Sequence, residues 1–162
     1  MQLVASDRAP PSPSRRSLRG LDWFVFFLAD AQVGFGPLIA VYLTAQKWTQ
    51  ADIGLVLTIG GLVALIGQMP GGALVDAARS ERVVAAFSVV VLAASALMFA
   101  VWPIFAVVLL AKVLHSAASC VLGPAIGAIS LGLVGHAAVS DRFGRNARFA
   151  SLGAGFAAIS MG

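Results

Sequence analysis

Residues 104–134 read IFAVVLLAKVLHSAASCVLGPAIGAISLGLV, an apolar run in which Lys112 is the one formally charged residue. A stretch of this length and composition is read as a membrane-crossing helix, because about 20 apolar residues at ~1.5 Å each cover a ~30 Å hydrocarbon layer. Similar runs flank it. Leu21 to Leu43, Ile53 to about Val75 and Val83 to Val101 are each long enough to cross, and a fifth run starts near Asn146 and extends to Gly162. The spans are therefore expected at about 21–43, 53–75, 83–101, 104–134 and 146–162, the last incomplete, with residues 21–162 as one helical bundle.

Composition agrees with that reading. The 162 residues are 59% hydrophobic and 11% charged, with a mean hydropathy of +0.92, whereas a soluble domain carries about a quarter charged residues. The implied partner is the lipid bilayer. Cys120 is the single cysteine, which excludes an internal disulfide framework and any metal site built on several thiolates. No His/Cys/Glu constellation with ligand spacing, glycine-rich phosphate loop or nucleophile with a nearby base is present, so neither an enzyme, a metal nor a cofactor is expected.

The net charge of +4 does not point to nucleic acid, because the charges lie between apolar runs rather than on one amphipathic face. Their distribution instead orients the chain. Arg8, Arg15, Arg16, Arg19, Arg79, Arg82, Arg142, Arg145 and Arg148 fall on one side of the expected spans, and Lys47 alone on the other. Positively charged loops stay in the cytoplasm. The amino terminus is accordingly expected there, in a plasma membrane, or the inner membrane of a bacterium. Residues 1–20, rich in Pro, Ser and Arg, are expected to be a disordered basic arm. Its Ser14-Arg15-Arg16-Ser17-Leu18 resembles a twin-arginine export signal, but a run of spans follows rather than a soluble passenger, which favours an anchoring flank.

Asp30 lies roughly 13 Å into the first run and Lys112 roughly 12 Å into the fourth, counted along a helix, so both are expected near the bilayer midplane. Each charge there costs about 2.5–3.5 kcal/mol on insertion scales, which keeps such residues facing protein or water. Lys112, His115, Ser116 and Ser119 repeat at i, i+3, i+4 and i+7 and share one helix face. Two readings stand side by side: helix–helix adhesion with a static Asp30–Lys112 ion pair, or a proton-coupling and solute-binding site built on Asp30, Lys112 and His115. Gly36-Pro37 after Asp30 and Gly123-Pro124 after Lys112 interrupt the two runs similarly, a pattern associated with midplane binding sites. His136 reads as a solvated loop residue, and Ser88 and Ser95 as packing contacts.

The spans, the basic loops and the segment after span two resemble the amino-terminal part of a major facilitator superfamily transporter. Gly72 and Asp76 match the family's Gly-x-x-x-Asp, and Arg82 the second residue of its basic pair; Ala77, Arg79 and Glu81 depart from it. Lys112-Val113-Leu114-His115-Ser116 is similar in depth and chemical character to the Arg-x-x-Gln-Gly of proton-coupled exporters, and Phe143-Gly144-Arg145-Asn146 in position to an Arg-Gly-Arg at the start of span five. Gly123-Pro124-Ala125-Ile126-Gly127 is similar to a Gly-Pro-x-x-Gly-Gly signature that the family carries in span five.

The resemblance implies an all-α integral membrane bundle, the first four spans plus part of a fifth in a protein of about twelve helices whose carboxy-terminal half lies beyond this chain. It implies a conformational latch at Gly72, Asp76 and Arg82. Spans one and four would line a cavity walled by Gly34, Pro37, Ser116 and Ser119. The function expected is secondary active, proton-coupled transport of a small solute by alternating access. The alternatives are a small four-helix dimeric multidrug exporter with one acidic residue in span one, or a truncated, non-transporting membrane subunit.

Overall fold

In lipid a backbone must satisfy its own hydrogen bonds, and the helix is the solution open to a chain of apolar runs. The computed structural model describes residues 14–34 and 37–161, with the side chains of residues 34, 37, 38 and 161 outside that description. Among the described residues five helices follow one another: α1 (Arg15–Gly34), α2 (Pro37–Ala45), α3 (Gln50–Ala77), α4 (Glu81–Val101) and α5 (Phe105–Met161). Three of them, α3, α4 and α5 from Phe105 to Ser160, are long and apolar enough to cross a membrane. This is an all-α membrane bundle.

The ends of the helices follow from local chemistry. Ser14 starts α1, its Oγ accepting from the Arg16 N–H at 3.3 Å and its carbonyl from the Leu18 N–H at 3.1 Å. The helix therefore begins within the stretch expected to be disordered, while residues 1–13 of that arm lie outside the described residues. At the far end of α2, Lys47 takes a φ of 61°. The Trp48 N–H reaches Leu43 O at 3.1 Å and the Lys47 N–H reaches Thr44 O at 3.0 Å, the paired bonds of a Schellman cap. Thr49 then opens α3, accepting from the Asp52 N–H at 3.1 Å and donating its hydroxyl to Asp52 Oδ2 at 2.7 Å. The Asp52 carboxylate also complements the positive end of the helix dipole.

One residue reshapes the carboxy-terminal third. Gly135 adopts φ 71° and ψ 174°, a region essentially closed to residues with a Cβ, and there the chain reverses. α5 is thus two arms, 105–134 and 136–161. Asn146 Nδ2 donates to Ser130 Oγ at 2.8 Å between the arms, with both residues buried. The polar stretch from His136 to Arg148, expected as a loop, is helical. Its charges do not need a loop, because Arg142 and Arg145 stand three residues apart and turn together to a carboxylate on α1.

α5 packs against α1, α3 and α4 and so organises the bundle. The buried stripe Ala85, Ser88, Leu92, Ser95 and Phe99 of α4 lies against the first arm. Against α3, glycines allow close approach: a Cβ at Gly71 would stand 2.7 Å from Cys120 O, and one at Gly67 3.0 Å from Cys120 Sγ. The Cys120 thiol donates to Ala64 O at 3.4 Å. Gly153 lets the second arm approach α1, since a Cβ there would fall on the carbonyl oxygen of Phe26. Side chains such as Leu65, Ile66, Met69, Phe87 and Val90 point outward, as expected where the surroundings are lipid.

These contacts set an expectation for stability. Gly71→Ala and Gly153→Ala are each expected to cost about 1–3 kcal/mol, the usual range for overpacking against backbone, whereas Gly72→Ala meets nothing within 4 Å and is expected to be neutral or slightly stabilising. Thermal unfolding of the purified protein in detergent measures the difference.

Candidate functional site

The polar face of the first arm divides between two neighbours. The Lys112 stem lies over Gly60 of α3; a Cβ at Gly60 would stand 2.5 Å from Lys112 Cε. Ser116 and Ser119 also turn toward α3, where with Gln68, Cys120, Gly123 and Pro124 they line a recess of about 380 Å³. His115 turns toward α4 and α1. It is 9% exposed, and its Nδ1 is 3.5 Å from Ser95 Oγ, a hydroxyl that donates to Leu92 O at 2.7 Å. On that side His115 lines an apolar cavity of about 310 Å³ with Phe24, Phe27, Leu28, Gln32 and Ala96.

Asp30 is half-buried on α1, with its backbone N–H beside Gly153 of the second arm. It forms no ion pair with Lys112: both ion pairs among the described residues go to Asp22. The expected Asp30–Lys112 pairing is therefore corrected. α1 commits the stripe carrying Asp22, Phe26 and Asp30 to the second arm, through Arg142, Arg145 and Gly153, while Lys112 is seated in the Gly60 notch of α3. The two charges belong to different interfaces.

The buried ionic group that the sequence reading missed is at the arginine-rich end. Asp22 is 1% exposed. Arg145 Nε donates to Asp22 Oδ1 and Oδ2, both at 3.0 Å, and Arg145 Nη2 donates to Oδ2 at 2.6 Å. Arg142 Nη2 lies 2.7 Å from Oδ1, with its side chain 3% exposed. The Arg145 guanidinium also stands 5.6 Å over the Phe149 ring, a cation–π contact. The signal available in sequence was the i, i+3 spacing of Arg142 and Arg145 and one acidic residue, Asp22, at the mouth of the first run.

The remaining expected site residues are less engaged. Gly72 lies within α3, a Cβ there meeting nothing, and Asp76 and Arg82 are exposed at either side of the short α3–α4 link. Neither joins an ion pair among the described residues. Gly34 ends α1 and Pro37 begins α2, but the surroundings of their side chains lie outside the described residues. Pro124 is inside α5 whereas Pro37 opens a new helix, so the two Gly-Pro interruptions act differently in the backbone.

The helical arrangement is that of an all-α membrane protein, and comparison with known proteins places it. Residues 18–162 match the MFS_1 like family, and the chain belongs to that family. Two proteins of Mycobacterium tuberculosis, one each from strains CDC 1551 and H37Rv and both named as uncharacterized MFS-type transporters, are each 41% identical to it over 152 residues. The alignment covers 91% of this chain and 35% of each relative, so the chain spans about a third of their length. Membership of this family replaces the small dimeric exporter considered from the sequence.

Asp22 supplies the test of the buried group. Asp22→Ala is expected to destabilise the protein by about 3–5 kcal/mol, the range for leaving a buried charge without its partner, here Arg142. Arg145→Ala is expected to be milder, because that side chain is 55% exposed. Chemical denaturation of the two variants beside the wild type checks the order.

Proposed function

We propose that this chain forms the amino-terminal helices of a secondary active transporter that moves a small solute by alternating access, with proton coupling. The observation that carries the reading is the recess in which Ser116, Ser119 and Gln68 converge between α3 and the first arm, one turn from Lys112, in a chain belonging to a transporter family. Polar groups grouped inside an otherwise apolar bundle mark pathways for polar solutes. In this mechanism Ser116, Ser119 and Gln68 hydrogen-bond the solute and Lys112 supplies positive charge at the wall. Gly34 and Pro37, at the α1–α2 junction, belong to the same wall.

Asp30 and His115 then take and release the proton on the α1 side of the first arm, without a direct Asp30–Lys112 contact. Gly72, Asp76 and Arg82 act at the exposed α3–α4 link as the latch between states, against helices of the transporter's other half. The arginine-rich end faces the cytoplasm of a plasma membrane, following the positive-inside rule.

Reconstitution of the full-length protein in vesicles loaded with a pH-sensitive dye tests this. Solute-driven proton flux is expected to disappear in Asp30→Asn and to fall strongly in Lys112→Ala. Ser119→Ala is expected to raise the solute KM about threefold to tenfold, the equivalent of one lost hydrogen bond. Coupled flux that survives unchanged in both Asp30→Asn and Lys112→Ala would overturn the assignment.

A further inference from the structure

The tie at Asp22 also shapes a second feature. Beside it, between the first turns of α1 and the start of the second arm, lies an open basin of about 430 Å³ lined by Arg15, Leu18, Arg19, Val134, Ala138, Asp141, Arg142 and Arg145. Four arginines meet two carboxylates near it, and one of these, Asp22, already has both oxygens engaged by Arg142 and Arg145. The basin is therefore net positive. The amino-terminal end of the 20-residue α1 helix adds its partial positive charge there. Arg142, 4% exposed, also has its Nε buried without a hydrogen-bond partner.

The rest of the lining is apolar, and the surface next to it is aromatic. Leu18, Val134 and Ala138 form a greasy floor. Trp23, one helical turn along from Arg19, is 55% exposed and packs with Phe27 and Phe149. A tryptophan at the end of a span marks headgroup depth. A ligand that suits this surroundings has a phosphate at one end and an apolar body at the other, and basic pockets between membrane helices are known to take such headgroups.

We propose that the basin binds the phosphate of an anionic phospholipid headgroup. Arg15, Arg19 and Arg145 donate to the phosphate, Arg142 contributes its buried charge, and the glycerol and upper acyl chain lie against Leu18, Val134 and Ala138. A bound lipid would bridge α1 and the second arm, reinforcing the Asp22 contact without entering the recess at Ser116 and Ser119.

The test uses a full-length variant with Trp23 as its sole tryptophan, in vesicles of phosphatidylcholine containing brominated phosphatidylglycerol, whose bromines quench a nearby indole. Preference for the brominated anionic lipid over brominated phosphatidylcholine is expected at Trp23. Arg15→Gln with Arg19→Gln should weaken that preference about thirtyfold, at roughly fivefold per arginine. Both side chains are exposed, so folding should survive the change. Arg16→Gln with Arg148→Gln removes the same charge without touching the lining and should lose far less. Equal losses in the two pairs would reduce the effect to diffuse surface attraction and overturn the site. Quenching released by inorganic phosphate would assign the basin to a soluble anion instead and overturn the lipid. Native mass spectrometry of retained phosphatidylglycerol, with all tryptophans kept, gives the same comparison should the single-tryptophan background not fold.

Discussion

A buried carboxylate, Asp22, holding two arginines from a helix more than a hundred residues later is the contact on which the arrangement of this bundle turns. A charge at 1% exposure is tolerable only with its partners in place, so α1 and the second arm of α5 must meet at that end. Once they do, the turns that follow are aligned: Trp23 meets Phe149, Phe26 meets Phe156, and Gly153 closes on the backbone from Phe26 to Asp30. The stripe of α1 that carries Asp30 is thereby turned to the second arm and away from Lys112. The same tie shapes the wall of the arginine-lined basin.

The first arm of α5 is the structural counterpart on the other side. It touches α3 through glycines and α4 through small residues and Ser95, and its polar residues are shared out according to which neighbour leaves room. Gly60 makes space for the Lys112 stem. His115 instead takes the gap between α4 and α1, beside Ser95. Three of the four residues that share one helix face in projection therefore line two compartments, Ser116 and Ser119 the recess and His115 the apolar cavity. This division supports separate roles in the proposed transport cycle, solute contact on the α3 side and proton exchange on the α1 side.

Much of the fold was legible because lipid imposes a simple rule. An apolar run of sufficient length becomes a helix, and in the structure Thr49 and Ser80 stand at the N-caps of α3 and α4. The 136–148 segment was not legible for a physical reason: its Arg, Asp and His residues read as solvated, and only the placement of Asp22 opposite them makes a charged helix stable there. Nor does composition distinguish Gly135, whose positive φ turns the chain, from the other glycines of the run, which sit in ordinary helix. The polar residues Ser116 and Ser119 were visible from their spacing, but Gln68, which completes their recess, lies on a different helix.

What the amino-acid sequence determined by itself was the solvent, the long apolar helices α3, α4 and the first arm of α5, and the asymmetry of charge, because hydropathy and helix length are local properties summed along a chain. The depth of Asp30 and Lys112 in their apolar runs carried the expectation that both avoid lipid. Which helix each of them faces was decided only in the tertiary structure, because pairing in a bundle depends on where backbones can approach. The glycines at 60, 71 and 153 and the buried carboxylate at 22 settle that approach, and their partners are separated from them by long stretches of chain.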